Sequence, residues 1–167
     1  EASVNVNSSS SRDVVIGNIL NTSGTTTITS GGAIRLAGTD GAIGGRRVVL
    51  SAANGIGTDQ RAVTTNVTDT GTSSLYAVTT NGNVNIVERS GDLAIDQVKA
   101  TGGGNVNIVV PQNLFVTTDP VVHAYAAAGS YPWQMTARVD ATTCTSAGTI
   151  TVSASDPPPR RRLRRHL

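Results

Sequence analysis

Apolar residues return at every second position along this chain, in short bursts that are mostly led by a glycine. Gly32 precedes Ile34 and Leu36, and Gly82 precedes Val84 and Ile86. Gly91, Gly104 and Gly148 lead the same arrangement at Leu93 and Ile95, at Val106 and Ile108, and at Ile150 and Val152. Val48 with Leu50, and Leu75 with Ala77, keep the alternation without the leading glycine. A period of two is that of a strand with one buried face. Between the bursts stand Gly, Asn, Asp, Ser and Thr, the residues of tight turns. No useful stretch carries a helical period, so the pattern predicts an all-β chain.

A second, longer period lies over the first. The hexapeptide Gly-Asn-Val-Asn-Ile-Val occurs at residues 82–87 and again at 104–109, a shift of 22. Ile34 and Ile56 are also 22 apart, while Leu93 to Leu114 and Ile95 to Val116 are 21. Hairpins need a strand period but no cycle. A cycle of this size is one coil of a β-solenoid, two or three short strands joined by turns.

One coil cannot bury its apolar row alone, so coils stack at about 4.8 Å and pair their strands with those above and below. Val84 should then lie beside Val106, and Ile86 beside Ile108. Asn83 with Asn105, and Asn85 with Asn107, should form outer ladders that hydrogen-bond along the stack. The chain has room for about seven coils, a rod of roughly 30–35 Å. The open strand edges at its ends invite pairing unless they are capped or continued.

Residues 13–38, 48–67 and 75–109 resemble the repeats of filamentous-haemagglutinin-type adhesins, very large exoproteins often exported by two-partner secretion. The passage "NGIGT…AVTTNV", followed by a glycine-led strand, carries the resemblance most clearly, and residues 146–154 return to it. The resemblance implies a right-handed parallel β-helix and a stalk on the outer surface of a Gram-negative-type bacterium. It implies no catalytic residues, no cofactor and, as partners, host-cell or matrix glycans or proteins and the neighbouring coils of a longer chain. The chain opens in the middle of its pattern, without an initiator Met or a signal-peptide pattern, which reads as part of something longer.

Composition agrees with a narrow core. Aromatic residues make up 3% of the chain, so small β-branched side chains must do the packing. The net charge of +2 belongs to one end: residues 156–167 hold five Arg and one Asp, leaving eight basic and ten acidic side chains elsewhere. A mildly acidic body gives no case for nucleic-acid binding. No 18-residue apolar run predicts a membrane helix. One Cys, Cys144, cannot close an internal disulfide.

The pattern blurs between residues 111 and 147. Residues 119–144 contain the one Trp, the one Met, two of the three Tyr and His123. Within a solenoid segment at 1–155, this stretch reads as a divergent coil or an extruded loop. Tyr125, Tyr131 and Trp133 can form an aromatic platform for a ligand, or can pack on the core or a terminal face. The Pro- and Arg-rich tail at 156–167 is foreign to the rest and reads as a disordered or non-native end, with anionic lipid or nucleic acid as the alternative partner.

Parallel β-helices also host polysaccharide lyases and hydrolases, which need carboxylates converging on one face. Asp96, Asp119 and Asp140 are spaced by 23 and 21, close to the cycle, with Lys99, His123 and Arg138 nearby. They make the alternative catalytic constellation; as turn residues facing solvent they mean nothing. Gly102 to Gly104 precede a strand rather than a helix, so no phosphate loop is implied. His123 and His166 are too few and too far apart for a His-based zinc site, and no Gly-x-Ser-x-Gly elbow occurs. The sequence therefore predicts a non-enzymatic solenoid without metal.

Overall fold

The alternating bursts become strands, and the turns between them bend the chain into coils. We describe them in a computed structural model, which covers residues 2–68, 73–101 and 104–111 in full and four later strands through their backbone pairing. The first coil holds β1 (Val4–Ser8) and β2 (Val14–Ile16), and the second holds β3 (Thr25–Ser30), β4 (Ile34–Leu36) and β5 (Ile43–Gly45). β6 (Arg47–Ala52) and β7 (Val63–Val67) form the third. β8 (Ser74–Thr79) and β9 (Val84–Glu88) form the fourth, and β10 (Leu93–Ala100) and β11 (Val106–Val110) the fifth. Beyond them lie β12 (Leu114–Val116), β13 (Trp133–Gln134), β14 (Cys144–Ser146) and β15 (Ile150–Ala154). No helix occurs among the described residues.

The fold is a parallel β-helix, a β-solenoid of about five turns with coils of about 22 residues. One wall stacks β1, β3, β6, β8, β10 and β12; the other stacks β5, β7, β9, β11 and β15. The pairings fall where the 22-residue cycle puts them. Val84 pairs with Val106 and Ile86 with Ile108. Ile34 bridges to Ile56. Leu93 pairs with Leu114, and Ile95 with Val116. The turns fall short of seven because some coils spend more than a cycle's worth of chain: Ile56 bridges to Val84, 28 positions on, and Val106 pairs with Ile150, 44 positions on.

Alternation fills the inside with three rows from the first wall. One runs Thr26, Val48, Leu75, Ile95, and the next runs Ile28, Leu50, Ala77, Val98; all are buried. The third row, nearest the corner, is small: Ser30, Ala52, Thr79, Ala100. Its hydroxyls satisfy the turning backbone. Ser30 Oγ donates to the Ala33 carbonyl at 3.0 Å, and Thr79 Oγ1 donates to the Asn81 carbonyl at 2.6 Å while accepting from the Gly55 N–H at 2.9 Å. Buried polar groups are thereby paired without widening the core.

Two of the leading glycines, Gly82 and Gly104, are explained at the same corner, where turn stacks on turn. A Cβ on Gly104 would stand 1.9 Å from the Gly82 carbonyl oxygen. Gly82 itself has φ +80°, in the left-handed region that favours glycine, and a Cβ there would meet the Asn54 carbonyl at 2.9 Å.

The outer Asn ladders differ from expectation. Asn85 and Asn107 are in register, as the cycle requires. Their amides do not simply bond along the stack. Asn83 Oδ1 accepts the backbone N–H of Asn105 at 2.9 Å, and the side-chain amides of Asn83 and Asn85 both donate to Asp59 Oδ1, at 3.2 and 3.4 Å. Asn85 takes the expected outward position but is buried beneath the loop that carries Asp59. The cause is the long third coil: residues 57–62 leave the wall between Ile56 and Val63, and Asp59 folds over the coil above.

Candidate functional site

The second departure from a regular stack lies at β10. Its outer edge is shared. β12 pairs with Leu93, Ala94 and Ile95, while β14 pairs with Val98, Lys99 and Ala100. β12 and β14 are thus two halves of one rung, the first ending at Val116 and the second beginning at Cys144. The gap faces Asp96 and Gln97. The opposite edge of β10 is irregular at the same place, since its register against β8 shifts between Ile95 and Gln97. A bulge on one side and a split rung on the other make this the point where the solenoid wall opens.

Of the three aromatic candidates, Tyr125 and Tyr131 lie outside the described residues. Trp133 is in β13, which runs antiparallel to β15, level with Val152. Its register position continues the row Val63, Ile86, Ile108, Val152. The strand thus occupies the free edge of the last rung of the second wall.

The carboxylate triad is represented by Asp96 alone; Asp119 and Asp140, with His123 and Arg138, lie outside the described residues, as does the tail at 156–167. Asp96 Oδ2 is 2.5 Å from Arg47 Nη2, two rungs away. Ser74 lies level with Arg47 on the intervening strand, and Lys99 sits on β10 beyond the bulge. Both partners are partly exposed, so the pair contributes little to stability. Among the described residues no group of three His, Cys, Asp or Glu side chains is placed to hold a metal ion, and no helix is long and apolar enough to cross a membrane.

Two further sites were not read from the sequence. The first is Glu88. It stands in an inward row, paired with Thr65 below, and that row begins with Ile43. Only 2% of it is exposed. Glu88 accepts hydrogen bonds from Thr65 Oγ1 at 2.6 Å and from the Val67 N–H at 2.8 Å. Burial pushes its carboxyl up to about 7, against the lowering effect of those bonds and of the Arg89 N–H. The signal was in the repeated hexapeptide: the residue after the first copy is Glu88, and after the second it is Val110.

The second is a depression of about 300 Å³ on the outer wall, lined by Arg35, Leu36, Thr58, Gln60 and Arg61. Its upper lip is the loop at 57–62. Thr58 and Arg61 exchange backbone hydrogen bonds at 2.8 and 3.1 Å, and the Arg61 N–H also reaches Thr58 Oγ1 at 3.0 Å. Asp59, held by Asn83 and Asn85, ties the loop to the next coil. Arg35 Nε donates to Asp13 Oδ2 at 2.5 Å. The Ala33 N–H and the Arg35 guanidinium together hold the Asp13 carboxyl below the usual carboxylate range. The cue for this site was the surplus of chain between Ile56 and Val84.

No family model, no curated protein and no solved structure matches this chain.

Proposed function

We propose that the chain is a spacer segment of a bacterial surface-exposed or secreted exoprotein, structural or adhesive in role rather than enzymatic. Its work is mechanical. Backbone ladders running the length of a narrow aliphatic core resist bending, and the rod holds binding regions away from the cell surface. The filamentous-haemagglutinin-like character of residues 13–117 and 146–154 supports this reading and supplies its expected setting, outside the outer membrane, against host-cell or matrix glycans or proteins. The observation that carries it is the split rung: β12 and β14, separated in sequence by residues 117–143, share one edge of β10 and together continue the stack. Loops placed on a rigid scaffold are where binding residues concentrate. Tyr125 and Tyr131 are the residues we assign to that role, with Trp133 contributing from the edge strand β13.

The test replaces residues 117–143 with two residues, matching Asp96 and Gln97 opposite, so that β12 and β14 become one strand. Beads coated with the intact chain should adhere to epithelial cells or extracellular matrix. The shortened chain should keep its strand-type circular dichroism and lose that adhesion. Equal adhesion by both chains would sink the presentation role, and glycan cleavage by the intact chain would sink the spacer reading.

A further inference from the structure

We infer that the depression between the second and third coils is a binding site for a small hydroxylated carboxylate, of the size and polarity of a hexuronic acid. Five residues line it, and two of them carry permanent positive charge. None of the five is acidic. Arg35 is committed to Asp13 through Nε, and no other side-chain bond of Arg35 is found among the described residues, so its terminal nitrogens remain to face a ligand. Arg61 has no ion-pair or side-chain hydrogen-bond partner among the described residues. Asp13 already offsets the charge of Arg35, so Arg61 is the charge left to attract an anion into the concavity. A planar guanidinium fork matches a carboxylate better than it matches a spherical anion.

The rest of the site fits the remainder of such a ligand. The exposed Gln60 amide offers a donor and an acceptor to hydroxyl groups. A volume of about 300 Å³ suits a small molecule rather than a macromolecule. The lip is also preorganised. Its two-residue turn is closed by the paired backbones of Thr58 and Arg61, and its carboxylate is tied to Asn83 and Asn85. Asp59 therefore does not compete for Arg61, and little ordering is left to be done when a ligand arrives.

Backbone-amide NMR of the full chain, titrated with D-glucuronate, tests this. Saturable shifts are expected at Thr58, Gln60 and Arg61 in the millimolar range. D-glucose should produce none, and sulfate should bind more weakly than glucuronate. Arg61→Gln should weaken glucuronate binding about tenfold or more without moving the thermal unfolding midpoint. Arg61→Lys, which keeps the charge and loses the fork, should fall between. Absence of saturable shifts, or binding unchanged in Arg61→Gln, overturns the site. Sulfate binding as tightly as glucuronate reduces it to an adventitious ion only, and overturns the carboxylate assignment.

Discussion

The wall built by β9 and β11 and the wall one coil beneath it carry the same kind of inward side chain and behave differently outside. Val84 and Ile86 pair in strict register with Val106 and Ile108, with no residue to spare. One coil lower, Ile56 and Val63 occupy the positions matching Val84 and Ile86, but six residues leave the wall between them where the upper coil has only Asn85. The core holds its register through the insertion, because the inner rows are what stacking buries. The outer surface is free to take extra chain wherever the backbone can turn out and back. A solenoid of this kind fixes its inside and improvises its outside. The split rung at β10 follows the same rule on a larger scale.

That contrast can be broken from the inside first. In Gly104→Ala the new Cβ meets the backbone of the coil below, which has no side-chain freedom with which to yield. We expect a loss of about 4 kcal/mol in denaturant unfolding. The same change at Gly38, with nothing within 4 Å of the new atom, should be nearly silent. Ile86→Ala empties a fully buried position between Val63 and Ile108 and should cost about 3 kcal/mol by the same measurement.

The inward row that holds a carboxyl gives a pH test. Glu88 has a folded pKa of about 7, raised from 4.5, so between those values the folded chain holds a proton that the unfolded chain has released. Stability from this group is complete below about 4.5 and falls as pH rises towards and through 7, by on the order of 3 kcal/mol. Unfolding midpoints across this window should decline in the native chain. They should be flatter in Glu88→Gln; an equal slope in both would assign the dependence elsewhere.

The outer surface should be the cheapest to disturb. Asp59→Ala removes the acceptor shared by Asn83 and Asn85 and should cost about 1 kcal/mol. Hydrogen exchange should show residues 58–62 opening well before the N–H of Asn85, which donates to the Ile56 carbonyl of the coil below. Loss of protection throughout the coils would mean instead that the loop is part of the stack.

Much of the fold was legible because a solenoid repeats its constraints. Each inward position must match the one above it, so a cycle of 22 in Ile34, Val84 and their partners already named the neighbours. The role of the leading glycine was less open to view, since a glycine before a strand can serve any turn. Only the stacked corner reveals that Gly82 and Gly104 are required by backbone lying on backbone. The hydroxyl row of Ser30 and Thr79 was hidden for a similar reason: a Ser or Thr at a strand end is ordinary until its burial is known.

The candidate sites were legible mainly through failures of the rule. Glu88 stands where the second copy of the hexapeptide is followed by Val110, and inward alternation marks it as a buried carboxyl. The depression beside Arg61 follows from surplus length, but length alone does not say that the loop folds upward onto Asn83 and Asn85. That choice depends on an acceptor, Asp59, meeting two amides some 24 and 26 positions away. Asp96 was read by its spacing, and its nearest charge proved to be Arg47, 49 positions earlier and two rungs down.

By itself, the sequence determined the all-β class, the cycle and several of the pairs that share a row. Those depend on periodicity, which a linear pattern carries in full. The tertiary structure alone decided where the wall opens, which polar groups are buried and which charges meet. Those depend on how surplus chain leaves one coil and settles on another, and such contacts join positions that no period relates.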